Sequence, residues 1–288
     1  SGTMSAATGI TVSATSTTSA TIVSIGALTV TGAGAPISIT ANNSAAGGNT
    51  GITQSGAITG ANGSDISFTS NNVISQNGAI TLAANTSGST ATLLYDTTSG
   101  NKSSTILSGI LTLTAGSSND INFVMKSAGS AINPGAIGTS SVRLPGTVTL
   151  DNTYGGSSPA SGYITTSNIA TYATTSVGVT INNAIYSTKL ISVKGIAYTS
   201  QGIGYSAVIN SSTGGVELTG TTSNNYGIYT SNASLITGNY ITIAGYASTA
   251  VGGWIDYIGA LTINSGAAGG DITITATGAA AGGGNGLY

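Results

Sequence analysis

Apolar residues in this chain fall in short alternating patches: Leu28-Thr29-Val30, Ile37-Ser38-Ile39, Ile80-Thr81-Leu82, Leu111-Thr112-Leu113, Val148-Thr149-Leu150, Ile241-Thr242-Ile243 and Ile272-Thr273-Ile274. Each patch is apolar, then Thr or Ser, then apolar again. That period of two predicts strands with one buried and one wet face. Clusters of Gly, Asn, Ser and Ala separate the patches and carry turn chemistry. Strong helix formers are scarce, with a single Glu in the whole chain. The pattern predicts an all-β protein.

The strands also repeat. Residues 26–39 read GALTVTGAGAPISI, 56–68 GAITGANGSDISF, 109–123 GILTLTAGSSNDINF and 259–274 GALTINSGAAGGDITI. The common frame is Gly, a strand triplet, a Gly-bearing turn and a second strand. Asp65, Asp120 and Asp271 stand directly before that second strand, with Pro36 in their place in the first copy. A second unit opens at Gly202-Ile203-Gly204-Tyr205, at Tyr226-Gly227-Ile228-Tyr229 and at Gly286-Leu287-Tyr288. It continues through Ala207-Val208-Ile209 or Leu235-Ile236 to Val216-Glu217-Leu218 or Tyr240-Ile241-Thr242-Ile243. Similar short strands at a fixed step favour a β-solenoid over a sandwich, because stacked coils place each residue on its counterpart. At roughly 25 residues per coil the chain makes roughly eleven coils, a rod on the order of 50 Å long. Residues 1–150 carry the Gly-Ala-Leu-Thr repeats, and 151–288 continue the solenoid with Tyr-rich repeats and an open end.

The frame G-A-L-T-[VI]-x-x-G-x-x-x-D-I-x-[IF] resembles coils of filamentous haemagglutinin-like exoproteins, large bacterial surface adhesins secreted by two-partner or autotransporter routes. The Gly-Ile-x-Tyr units of 202–288 are similar to repeats of very long haemagglutinin-type proteins. The resemblance covers most of the chain and brings no catalytic or binding motif with it. It implies a right-handed parallel β-helix, an extracellular location and a role in adhesion or matrix building.

Composition narrows the chemistry. Five basic and seven acidic residues make 4% of 288, against the roughly 25% usual in globular domains. In stacked coils this scarcity is useful, since like charges would otherwise lie about 4.8 Å apart. The absence of Cys and His excludes thiolate and imidazole metal sites, disulfides and Ser-His or Cys-His nucleophiles. A net charge of −2 offers no footprint for nucleic acid or an anionic membrane. With 40% hydrophobic residues and a mean hydropathy of +0.29, the chain expects an ordered core. No apolar run approaches the roughly 18 residues of a membrane span. Ser1-Gly2-Thr3-Met4 has no basic stretch leading into an apolar one, and reads as the start of a processed or excised piece without a signal peptide.

Few residues remain as candidates for function. Asp65, Asp120 and Asp271 share one step of the repeat and are expected to bond backbone amides at a coil turn. Gly269-Gly270-Asp271 is only a fragment of a calcium-binding β-roll repeat, so no metal and no cofactor are expected. Tyr226, Tyr229, Tyr240, Tyr246, Trp254 and Tyr257 form the densest aromatic group. They read either as an aromatic ladder or as a platform for surface glycans. Thr pairs two apart (Thr29 with Thr31, Thr112 with Thr114, Thr147 with Thr149, Thr273 with Thr275) are similar to ice-binding arrays, although ordinary strand propensity explains them. The expectation is a non-enzymatic structural rod, extracellular, that associates end to end or continues in a longer chain.

Overall fold

Each alternating patch forms a strand, and every named strand pair is parallel. The structure is a computed structural model that describes residues 3–18, 22–43, 50–82, 90–99, 104–106, 111–113, 121–128, 131–153, 177–223, 225–230, 232, 234–247, 255–257, 261–265 and 269–278. It is an all-β solenoid with no helix among these residues. The longest sheet stacks ten strands in chain order: Ile10–Ser16, Ile37–Asn43, Ile66–Ser70, Ala91–Thr97, Ile121–Ser127, Val148–Asp151, Ile191–Ala197, Val216–Thr222, Ile241–Ala247 and Ile272–Gly278. A nine-stranded sheet runs from Val23–Ile25 to Ile255–Tyr257. A third face is shared by two short sheets, five strands from Met4–Ala6 to Leu111–Leu113 and four from Ile185–Ser187 to Leu261–Asn264. The chain visits short, long and nine-stranded sheet in turn, so three strands make one coil.

The repeat frames stack as their spelling suggests. Leu28 lies on Ile58, and Ile80 lies on both Ile58 and Leu111. Ile37 lies on Ile66, Ile209 on Ile236 and Val216 on Ile241. The ten rungs of the long sheet are slightly fewer than the roughly eleven coils expected from length. Coil length varies, and that accounts for the difference. Val216 and Ile241 are 25 residues apart, Ile241 and Ile272 are 31 apart, and Val148 and Ile191 are 43 apart. Asn152 maintains the ladder across that longest coil. Its buried side-chain amide donates to the Ile196 carbonyl at 2.9 Å and accepts from the Ile196 amide at 2.6 Å, two bonds added beyond the backbone pairing of Val148–Asp151 with Ile191–Lys194.

Alternation fills the interior with two columns from the long sheet. One runs Ile10, Ile37, Ile66, Leu93, Phe123, Val148, Ile191, Val216, Ile241 and Ile272. The other runs Val12, Ile39, Phe68, Tyr95, Met125, Leu150, Val193, Leu218, Ile243 and Ile274 through the same pairings. Most of these side chains are fully buried, each worth about 2 to 3 kcal/mol of apolar transfer. Phe68 stacks on Tyr95 at 4.9 Å, and Tyr95 meets Phe123 at 5.8 Å. The Tyr95 hydroxyl donates to Gln76 Oε1, and burial holds the phenol well above its ordinary pKa. Gln54 and Gln76 sit on one another in adjacent coils, buried. Gln54 Nε2 donates to the Gly56 carbonyl, Gln76 Nε2 to that of Gly78 at 3.0 Å, and Gly78 N to Gln54 Oε1 at 3.1 Å. These bonds satisfy the buried amides, which would otherwise be costly.

In the later coils glycine sets the cross-section. Gly195, Gly220 and Gly245 form one column, and Gly202 and Gly227 face it across a corner. A Cβ on Gly220 would fall inside the Gly227 carbonyl, and one on Gly195 inside that of Gly202. Gly34 is different: it lies at φ 72° with open space where a Cβ would go. Gly220→Ala is therefore expected to cost about 3 kcal/mol or more through forced backbone displacement. Gly34→Ala should cost only about 1 to 2 kcal/mol, from backbone strain alone. Denaturant unfolding followed by circular dichroism checks the order of the two.

Candidate functional site

Outward positions form columns as regular as the core, and the surface is best read column by column. On the first short sheet Ser5, Thr29, Thr59 and Thr81 occupy successive rungs. On the nine-stranded sheet the succession begins Ser24, Thr53 and Ser75. On the long sheet it runs Thr11, Ser38, Ser67, Leu94, Val124, Thr149, Ser192, Glu217, Thr242 and Thr273. The Thr column of the first short sheet is a single file from Thr29 to Thr81, because these strands are three residues long and show one outward residue each. Two-wide Thr arrays do not extend through the long sheet, where Leu94, Val124 and Glu217 interrupt the column.

The neighbouring outward column of the long sheet holds an arrangement the sequence did not reveal. Asp96 lies on Lys126, Lys126 on Asp151, and Asp151 on Lys194. Four of the twelve charged residues thus stack in consecutive rungs with alternating sign. The Lys126 ammonium is 3.0 Å from Asp96 Oδ2. Both acids are held by their own Asp-x-Thr turns. Asp96 Oδ1 accepts from the Thr98 amide at 3.0 Å and hydroxyl at 2.7 Å, and Asp151 Oδ1 from those of Thr153 at 2.8 and 2.5 Å. Partial burial alone would raise the Asp96 pKa, but the Thr98 bonds and Lys126 together outweigh it and hold the carboxyl below its ordinary value. Two rungs separate the two acids, roughly 10 Å, with Lys126 seated between them.

The three turn acids separate into two described and one not. Asp65 and Asp271 are exposed, and their backbone carbonyls receive the Ile37 and Ile241 amides at 2.8 and 2.9 Å. Asp65 Oδ1 also accepts from the Thr92 amide at 2.7 Å, one coil further on, so the side chain ties coil to coil. Asp120 lies outside the described residues. Side chains elsewhere do the same work at the corners. Asn225 Nδ2 donates to the Thr199 carbonyl, Asn239 Nδ2 to that of Thr213, and the Thr222 hydroxyl to that of Ser200, each across one coil.

Among the described residues Tyr226, Tyr229, Tyr240 and Tyr246 do not form one platform. Tyr226 and Tyr229 stack at 5.6 Å with planes 21° apart, both half-buried. Tyr246 is half-buried near the end of its strand, and its amide would lie against a Cβ on Gly227. Tyr240 precedes the start of that strand, about 20 Å from Tyr246. It is 39% exposed, covers Gly215, and donates to Glu217 Oε1 at 3.1 Å. Burial and then the Glu217 carboxylate raise its phenol pKa. Trp254 and the Tyr257 side chain lie outside the described residues; the Tyr257 backbone stacks on Thr230. Tyr205 and Tyr229, which look equivalent in the sequence, have opposite parity. Tyr205 pairs with Thr230 and faces the core, whereas Tyr229 pairs with Gly204 and faces out.

Asp256 lies on Tyr229 and is 4% exposed, with no hydrogen bond to Oδ1. Arg143 lies against the four-stranded sheet. Its guanidinium donates to Asn210 Oδ1 at 2.6 Å and lies 5.3 Å from the Tyr186 ring centroid. Among the described residues no three acidic, Cys or His side chains gather into a metal-binding group. No described helix is long and apolar enough to cross a membrane.

Comparison of the chain with protein families, with curated proteins and with solved structures found no match.

The charge ladder sets an expectation for acid. The folded pKa of Asp96 lies below its unfolded value, so its contribution is complete above roughly pH 4 and is lost as pH falls through the folded value. Thermal midpoints should be flat from pH 5 to 8 and drop only below about pH 4. Asp96→Asn should flatten that drop. Melting curves of both proteins between pH 2 and 8 check it.

Proposed function

We propose that this chain is a structural rod or filament segment of an extracellular bacterial surface protein, supporting adhesion or matrix assembly by end-to-end continuation of its coils. The observation that carries this reading is the unbroken ten-rung parallel ladder, with its core columns running from one end to the other. Force along such a rod is resisted by backbone bond rows that run along two faces and are divided between two sheets on the third. Ser and Thr columns clothe the outside, and few ionisable groups or Lys and Arg cleavage sites are offered to pH or trypsin. The haemagglutinin-like frame supports an extracellular setting, and the low charge fits a part that acts mechanically, without catalysis, membrane insertion or nucleic acid. Single-molecule pulling on the two ends tests the reading. Coils should release one at a time, each 25-residue coil adding about 85 Å of contour. Extension of the whole chain in one low-force event would overturn it.

A second reading rests on the stacked, half-buried Tyr226 and Tyr229 pair, whose outward faces suit a sugar ring. A glycan array should then show saturable binding that Tyr229→Ala removes. An array without hits leaves the mechanical reading alone.

A further inference from the structure

The outermost strands of the long sheet are Ile10–Ser16 at one end and Ile272–Gly278 at the other. Each pairs on one side only among the described residues, which leaves one row of its N–H and C=O groups without a described partner. Edge strands are normally blunted by Lys, Pro, a bulge or brevity. These two are seven residues long, uncharged and without proline. Ile272 and Ile274, the last members of the two core columns, are 46% and 40% exposed.

The two edges also match each other. They read Ile-Thr-Val-Ser-Ala-Thr-Ser and Ile-Thr-Ile-Thr-Ala-Thr-Gly, identical at four of seven positions and differing elsewhere as Val/Ile, Ser/Thr and Ser/Gly. Neither shares as many identities with the strand it already pairs. Ile10–Ser16 has two with Ile37–Asn43, and Ile272–Gly278 has three with Ile241–Ala247. In a parallel, in-register stack, like residues on one another are what a joint requires.

We propose that identical copies join head to tail, the strand Ile272–Gly278 of one copy pairing in parallel with Ile10–Ser16 of the next, Ile272 on Ile10 and Ile274 on Val12. The proposal rests on the rod reading and names its partner, a second copy of this chain. On the same face of the coil, Leu261–Asn264 then continues onto Met4–Ala6, covering Met4, which is 52% exposed. A joint between two different ends leaves each copy with a further end to offer, and copies stacked along the rod axis propagate into an open filament.

The chain contains no cysteine, so a disulfide reports the joint without background. Thr11 and Thr273 are both exposed, and the proposed register stacks them on adjacent strands about 4.8 Å apart, inside disulfide range. Within one chain they stand at opposite ends of ten rungs, so any bond is between copies. The Thr11→Cys/Thr273→Cys double variant, oxidised mildly and run on a non-reducing gel, should give a ladder of dimers, trimers and longer species. Thr11→Cys/Thr275→Cys moves one thiol two residues along the strand, about 8 Å from its partner, and should lose the ladder. Thr273→Cys alone should remain monomeric. Far-UV circular dichroism identical to the unsubstituted chain qualifies each variant as folded. An equal ladder from the shifted pair, a dimer from Thr273→Cys alone, or no ladder at concentrations where electron microscopy shows filaments would overturn the proposal. Coil-by-coil release in the pulling experiment without any ladder would leave the rod reading standing and remove only this one.

Discussion

In-register parallel stacking is the constraint on which the rest of this molecule depends. Once coils lie directly on one another, the nearest neighbours of every side chain are those at the same step one coil above and below. A residue is then chosen for its own column more than for its neighbours in sequence. Apolar columns accumulate burial at each rung. Hydroxyl columns cost little, because Thr and Ser tolerate their own kind. A column of one charge would be penalised at every step. The chain meets that condition by being almost uncharged, and, where four charges do share a column, by alternating Asp96, Lys126, Asp151 and Lys194.

Corners meet the same constraint with different chemistry. Turn backbones cannot all pair with one another, so side chains of the next coil supply the missing partners. Asp65, Asn225, Asn239 and Thr222 each reach across one coil to a backbone group. Where the chain must turn more tightly, Gly195, Gly202, Gly220 and Gly227 bring two walls into backbone contact. The early coils, by contrast, are filled by Phe68, Tyr95 and Phe123 with buried glutamines beside them. One stacking rule thus accommodates a wide aromatic cross-section and a narrow glycine one in the same solenoid.

How much was legible in the sequence follows from this. Strand triplets such as Ile80-Thr81-Leu82 announce themselves because parity is a local property. The repeat frames at 26–39, 56–68 and 109–123 announce stacking because their glycine turns are spelled alike. Which residues meet across coils was not legible where coil length changes. Asp96, Lys126, Asp151 and Lys194 are separated by unequal intervals, so their column emerges only from the strand register. Tyr205 and Tyr229 failed for a related reason. One extra residue between Ile203 and Tyr205 reverses the direction of the ring, and the similar spelling hides a change of face. The alternating charges needed register, whereas the paired Phe68 and Tyr95 were within reach of parity had the aromatic positions been aligned two residues past each core Ile or Leu.

The amide of Asn152 has one more implication. Its two bonds to the Ile196 backbone extend the pairing past Asp151 and Lys194, in a coil of 43 residues stacked in the same sheet as one of 25. Coil length is thereby uncoupled from cohesion between coils. A solenoid joined in this way can vary the length of a coil while its stacked strands keep their register.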